Sequence, residues 1–431
     1  MKVGYQIPFL QDPPLSKDPI LFSSYHHSSI KGQALELELD ALVDKGAVEP
    51  STGGPGFYSR MFVVRKASGS WRPIIDLSTL NGFVQKTKFK METVQSVLAS
   101  IRQDDWMFSL DLQDAYLQIP IHPESRPYLR FSTVKGTFQF KVLCFGLSTA
   151  PQVFTRVMAP VSVILHQLGI RLLRYIDDWL ILASSKEECL RAREILLELC
   201  MTLGIRINFQ KSHLSPSQVA TYLGIDIYSQ TLTASPTVKR QDTLLLIIEE
   251  FLSLEAPPAS LWRSLLGHLS SLTQLIPRGR LRMRSLQIQL KNLWDFQDDS
   301  VLIPWNQSCH QDLLWWIQGD RLSQGISLKT ISPDQMLWSD ASDQGWGAFL
   351  HSEARSGLWS EEEKLWSINR RELRAILMGL QSLESLLDPV IGILCDNSTA
   401  VAYLRNQGGT RSLSTRGLRP FCVGQRRERL L

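Results

Sequence analysis

The chain has 431 residues, with 46 Lys and Arg against 42 Asp and Glu, for a net charge of +4. That length allows two or three domains, and a hydrophobic share of 44% is ordinary for a globular protein. Six scattered cysteines exclude a disulfide framework and zinc-type spacing, and no apolar run has the length of a membrane span or the form of a signal peptide. Free thiols and an intracellular location are expected, with no membrane partner.

Residues 1–30 carry Pro8, Pro13, Pro14 and Pro19 and read as an extended arm; His26 and His27 read as polar loop residues. A short helix is expected over 33–45, with Leu35, Leu39 and Leu42 on one face. Gly53, Gly54, Pro55 and Gly56 form a loop. FYSRMFVVRKASGSWRPIIDLSTLN (57–81) reads as two strands joined by a basic, glycine-containing turn.

FSLDLQDAYLQIPI then places Asp111 at the end of an apolar stretch containing Trp106, Phe108 and Leu110. In IRLLRYIDDWLILAS, Asp177 and Asp178 sit between two apolar runs. Strand, tight turn and strand would put both acids at the tip of a half-buried ribbon. A surface turn with solvated acids is the plain alternative. Against it, Asp-Asp lacks the Gly or Asn that two-residue turns prefer, and the flanks are apolar. Burying adjacent like charges calls for a cation, and three carboxylates suit a hard divalent ion such as Mg²⁺.

Residues 186–203 predict an amphipathic helix, with Ala192, Ile195, Leu196, Leu199, Cys200 and Leu203 on its stripe and Gly204 as the stop. IRINF and YLGIDIY (222–228) read as strands. Helical patterns follow to about Ile317, with Pro257 and Pro258 as a boundary. Ala256 to Trp294 holds no acid but carries Arg263, Arg278, Arg280, Arg282, Arg284 and Lys291, a phosphate-binding surface by composition.

From Pro333 strands and helices alternate. MLWSDASDQGWGAFL places Asp340 on a strand face shared with Met336 and Trp338. In INRRELRAILMGL, Leu373, Ile376, Leu377 and Leu380 form the helical stripe and Glu372 borders it. PVIGILCDN is an apolar strand ending at Asp396, and Asn397 or Ser398 can cap the next helix. Each acid alone reads as a cap or a surface group; together they suggest a second metal centre.

YIDD at 175–178, LDLQDAY at 110–116 and LCFGLSTAPQVF at 143–154 together resemble the polymerase core of a reverse transcriptase. The resemblance covers about residues 33–411. It implies an α+β right-hand polymerase: fingers and palm over 31–231 and a helical thumb or connection over 232–332. It implies two Mg²⁺ per active site, with Mn²⁺ as substitute, and an RNA template, DNA primer and dNTPs as partners.

Residue by residue, Asp111 and Asp177 would bridge both ions, Asp178 would support one, and Leu112 would offer its carbonyl. Tyr116 would pack under the sugar and select deoxynucleotides; a core tyrosine is the alternative. Arg65, Lys66 and Arg72 would close on the triphosphate. Phe145, Gly146 and Gln152 would line the floor under the templating base, with Gly146 allowing close backbone approach. Lys211 matches a lysine that protonates pyrophosphate, and Leu223 with Gly224 matches the hairpin gripping the primer.

Asp340, Glu372 and Asp396, with GWGA after the first, resemble ribonuclease H, which cuts the RNA of an RNA–DNA hybrid. This implies a truncated α/β domain over 333–411. The family's fourth carboxylate has no match: residues 412–431 read as an aberrant basic tail whose one acid is Glu428, which predicts weak or absent cleavage. YIDDWLIL, HLSPSQVATYLGI, SDASDQGWGA and NQGGTRS look closest to DIRS-like, tyrosine-recombinase retrotransposons. Two alternatives stand beside an active enzyme: a silent relic that only binds nucleic acid, and a DNA-templated polymerase on the same palm.

Overall fold

The computed structural model describes residues 4–22, 29–66, 69–330, 332–350, 353–381 and 390–408. They fall into two units, residues 1–97 with 104–222, and residues 98–103 with 223–431.

In the first unit, α1 (Ile30–Asp44) begins where the Ser29 hydroxyl accepts from the Gly32 amide, and it buries Leu35, Leu39 and Leu42. The hairpin of β1 (Arg60–Arg65) and β2 (Trp71–Asp76) is antiparallel, with Arg65 opposite Trp71. The central sheet is built from β3 (Trp106–Asp111), β4 (Arg171–Tyr175), β5 (Asp178–Ala183) and β6 (His213–Ser217), in the order β4-β5-β3-β6. Residues 179–182 of β5 are all buried because both sheet faces are covered. One cover is α2 (Ala150–Gln167), which starts at Pro151 in its first turn and buries Val153, Phe154 and Val161.

Helix α3 (Lys186–Leu203) shares the same core with α2, Trp179 and Ile181; it is capped by Ser185 and stopped by Gly204 at φ 68°, as its sequence predicts. Its buried stripe is Cys189, Ala192, Leu196 and Cys200, while Leu203 is exposed. Leu203 lies in the last turn, past the reach of the sheet.

The arm is strapped down where described: Tyr5 N–H donates to Pro120 O at 2.7 Å, Leu10 N–H to Phe83 O at 2.8 Å, and Ile7 is buried. Two expectations are corrected. IRINF forms no strand; Ile207 makes one bridge to Leu112 beside the sheet. YLGIDIY is broken after Tyr222, because Leu223 and Gly224 take φ of 50° and 73°.

In the second unit, β7 (Ile225–Tyr228) pairs antiparallel with β8 (Thr233–Pro236). Helices α4 (Val238–Ser253), α5 (Ala259–Leu272), α6 (Arg284–Leu293) and α7 (Gln307–Ile317) enclose a core of Phe251, Trp262, Leu269, Leu286 and Trp316. A second sheet in this unit has the order β11-β10-β9-β12. Its strands are β9 (Gln335–Ala341), β10 (Gly345–Leu350), β11 (Glu353–Leu358) and β12 (Ile391–Leu394), with β12 parallel to β9.

Helix α8 (Ile368–Gln381) packs on β9 and β10. Gly379 lets it approach: a Cβ there would lie 2.8 Å from the Ala348 Cβ. The sheet face against α8 is Leu337, Ser339 and Ala341, so the face that Asp340 shares with Met336 and Trp338 is the open one. Helix α9 (Ser398–Arg405) is capped by the Asn397 side chain. Among the described residues, no helix is long and apolar enough to cross a membrane.

Candidate functional site

The β4–β5 turn is Ile176–Asp177, since Tyr175 pairs with Asp178. Asp178 is therefore the first residue of β5 and not part of the loop. Antiparallel pairing sets Asp111 opposite Asp178, and the Leu112 amide donates to Asp177 O at 3.0 Å. Two strand ends thus bring all three acids to one edge of the sheet. Asp111 is held from behind: its amide donates to the Ser212 hydroxyl at 3.0 Å, and its carbonyl accepts from the Asn208 amide at 2.8 Å.

Burial, then Asp177 and Asp111, push the Asp178 carboxyl up to about 6, against a lowering by Lys211. Asp111 is raised as well, chiefly by burial, with Lys211 opposing. These are carboxylates short of positive charge, and hard oxygen donors of this kind fit a divalent cation. Their oxygens are not gathered as closely as a filled site requires: among the described residues, the group with all ligand atoms within 4.8 Å is Glu372, Cys395 and Asp396. Residues opposed in an antiparallel pair have Cα atoms about 4.5–5.5 Å apart, which sets Asp111 and Asp178 side by side.

The aromatic residues around the acids form a column. Tyr116 is buried and its ring centroid lies 4.9 Å from Phe145 and 5.8 Å from Phe154. Burial, then Asp177, push its phenol up to about 12. The Arg72 guanidinium lies over Phe145, 5.8 Å from its ring centroid, and Phe145 is 41% exposed. Arg65, Lys66 and Lys211 are exposed.

Other expected contacts are committed to protein. A Cβ on Gly146 would meet Ile75 O at 2.7 Å, so its close backbone approach is to β2. Gln152 is buried and its amide donates to Thr87 O at 3.3 Å. Leu112 is buried. Leu223 and Gly224 belong to the second unit, where Arg240 donates to Gly224 O at 3.3 Å.

At the other cluster, Glu372 is 3% exposed while Asp340 and Asp396 are exposed. Burial, then Asp340 and Asp396, raise the Glu372 carboxyl against the lowering effect of Cys395.

The basic stretch is mostly internal fastening. Arg263 pairs with Asp299 at 2.6 Å, and Arg282 with the buried Asp312 at 3.3 Å. Arg284 donates to the carbonyls of Asn406 at 2.6 Å and Gly408 at 3.1 Å, past the end of α9, and Arg280 to the Asn406 side chain at 3.2 Å. The stretch contains no acid because its partners lie outside it in sequence.

Sequence reasoning passed over several supports. The Tyr222 hydroxyl donates to Asp178 O at 3.0 Å. Ser212 and Asn208 flank Lys211, but nothing in NFQKS announces that they hold Asp111. Ile176 takes φ 55°, which its residue type argues against. Cys395 precedes Asp396 and was read only as one of six free thiols.

The hairpin carries two acids beside a third on the neighbouring strand, over a helix-backed sheet, the arrangement of a polymerase-type fold. Residues 64–227 match the family model described as reverse transcriptase (RNA-dependent DNA polymerase), and the chain carries that domain. Over 425 residues the chain is 22% identical to a putative enzymatic polyprotein of Cassava vein mosaic virus, covering 94% of this chain and 62% of that one. Over 252 residues it is 24% identical to the retrovirus-related Pol polyprotein from transposon opus of Drosophila melanogaster, covering 54% of this chain and 25% of that one. A solved foamy viral protease-reverse transcriptase in complex with double-stranded DNA superposes with a TM-score of 0.62 at 18% identity, covering 99% of this chain and 74% of that one. The chain thus spans less than two thirds of the length of the two polyproteins it matches, and its domain is of the retroelement polyprotein kind.

Proposed function

We propose that the chain is the RNA-directed DNA polymerase portion of a retroelement polyprotein, adding dNTPs to a DNA primer on an RNA template. The observation that carries this is the pairing of Asp111 with Asp178, with Asp177 fastened to Leu112, inside the segment that matches the reverse transcriptase model. Asp111, Asp177 and Asp178 would hold two Mg²⁺, or Mn²⁺. Bound there, the ions would activate the primer hydroxyl and stabilise the leaving oxygen. Tyr116, wedged between Phe145 and Phe154, presents a fixed ring to a sugar. Arg72, held over Phe145, offers a guanidinium to phosphate.

The domain assignment we adopt is an arm over 1–30, fingers and palm over 31–231, thumb or connection over 232–332 and a ribonuclease H-like domain over 333–411. The tail, 412–431, lies outside the described residues. The last domain is supported by its mixed sheet, the α8 packing, and the placement of Asp340, Glu372 and Asp396. There the substrate would be an RNA–DNA hybrid. The finer kinship with DIRS-like elements rests on segments such as YIDDWLIL and SDASDQGWGA.

Primer extension on an RNA template with Mg²⁺ is the test. Incorporation that Asp177→Asn abolishes is expected. Absence of incorporation by folded wild-type protein would favour a relic that only binds; extension on DNA but not RNA would favour a DNA-templated enzyme.

A further inference from the structure

We propose that Cys395 joins Glu372 and Asp396 in a mixed thiolate–carboxylate site for a thiophilic divalent cation, zinc being the ion whose dimensions fit. The inference uses two acids of the hybrid-cleavage reading but does not need that activity. Three independent observations support it.

The first is spacing. One ligand atom from each of the three residues lies within 4.8 Å of the other two, and the Cys395 sulfur lies 3.6 Å from Glu372 Oε2. Zinc bonds of about 2.3 Å to sulfur and 2.0–2.2 Å to carboxylate oxygen, at a tetrahedral angle, give a sulfur–oxygen edge of roughly 3.6 Å. The thiol and carboxylate therefore already stand at the separation that one shared ion would impose.

The second is the state of Glu372. Glu372 is 3% exposed, and what offsets its burial is hydrogen bonding from the Cys395 thiol and the Ala341 backbone, with no cationic side chain contributing among the described residues. A thiol is a weak hydrogen-bond donor, so the contact with Cys395 compensates that carboxylate poorly.

The third is access. A cavity of about 680 Å³ on the open sheet face is lined by Asp340, Cys395 and Asp396 together with Trp338 and Phe349. Two of the three ligands, Cys395 and Asp396, face this cavity while Glu372 is not in its lining, and water from the cavity would complete the shell. Sulfur is what separates this site from that of Asp111, Asp177 and Asp178, where the donors are all oxygen. Thiolate selects zinc and cadmium over magnesium.

The test is direct metal binding to the metal-free full chain. Cadmium titration should raise a thiolate-to-metal charge-transfer absorption in the ultraviolet. That band should vanish in Cys395→Ser and in Cys395→Thr and persist in Cys422→Ser. Zinc affinity, read by competition with a chromophoric chelator, should fall roughly tenfold or more in Cys395→Ser and in Glu372→Gln. Circular dichroism of each variant checks folding, and Cys395→Thr serves if the serine variant misfolds. No band in the wild type, or an undiminished band in the folded Cys395 variants, would overturn the proposal. Cleavage of a labelled RNA–DNA hybrid in magnesium is a separate readout: its absence beside intact zinc binding would remove the cleavage reading and leave this one standing.

Discussion

Ile176 holds φ 55° while its carbonyl accepts the indole N–H of the fully buried Trp179 at 3.1 Å. A β-branched residue in the left-handed region costs about 1–3 kcal/mol, and such strain persists only where neighbours over-determine it. Here Trp179 anchors the carbonyl on one side, and Leu112 anchors the Asp177 carbonyl on the other. The strain fixes the direction in which Asp177 leaves the turn.

Replacing Ile176 by Gly tests this balance. Glycine relieves the backbone strain but gives up a half-buried side chain worth about 1–1.5 kcal/mol. The two changes offset, so stability by urea denaturation should stay within about 1 kcal/mol of wild type. Activity should not be spared: kcat for dNTP addition should fall more than KM rises, because the turn loses its single conformation. A variant with unchanged kcat would show that the strained turn does not set the position of Asp177.

The pH dependence of the metal-free protein follows from Asp178. Burial and its two acidic neighbours raise this carboxyl from 3.8 to about 6, so between those values the folded state binds more protons than the unfolded chain. Stability therefore falls as pH rises through that window and stays low above it. The raised Asp111 and Glu372 act in the same direction. Above pH 6, Asp178→Asn should raise Tm by about 2–4 °C in the absence of metal and lose most of the Tm increase that Mg²⁺ or Mn²⁺ gives the wild type. A lower Tm for the metal-free Asn variant would show that Asp178 is already compensated within the protein.

The order of elements was legible wherever the signal was local. Helix α3 follows from its stripe, its Ser185 cap and Gly204, and the hairpin of β1 and β2 from two apolar runs around a glycine turn. The meeting of Asp111 with Asp177 and Asp178 was legible because apolar flanks make such carboxylates conspicuous. What failed was non-local. The break at Leu223 depends on a positive φ that no residue type there demands except Gly224. The open face of Trp338 and Asp340 could not be told from the α8-facing one, since residues of β9 alternate and both faces carry apolar groups. The arginines of residues 256–294 look free in sequence because Asp299, Asp312 and the end of α9 come later in the chain.

Phe145 is the residue through which Arg72 meets Tyr116. A guanidinium over an aromatic face contributes about 0.5–1 kcal/mol at an exposed site and restricts an otherwise mobile side chain. Phe145→Ala should raise KM for dNTPs about threefold to tenfold with a smaller change in kcat, and Phe145→Trp should restore it. Rescue by Trp separates positioning from loss of fold. An equal effect of both substitutions on kcat alone would place Phe145 outside the nucleotide grip.

Arg284 decides between two meanings of the basic stretch. As a phosphate contact, its loss would weaken template–primer binding and reduce the salt slope of that binding by about one. As fastening, its guanidinium satisfies the carbonyls of Asn406, Gln407 and Gly408, acceptors left open past α9. Bonds from a charged donor are worth about 1.5–3 kcal/mol. Arg284→Met should therefore destabilise the second unit by about that amount, read as a lower urea midpoint for the fluorescence of its tryptophans, while the dependence of template–primer affinity on salt stays unchanged. A reduced salt slope with unaltered stability would return Arg284 to the nucleic-acid surface.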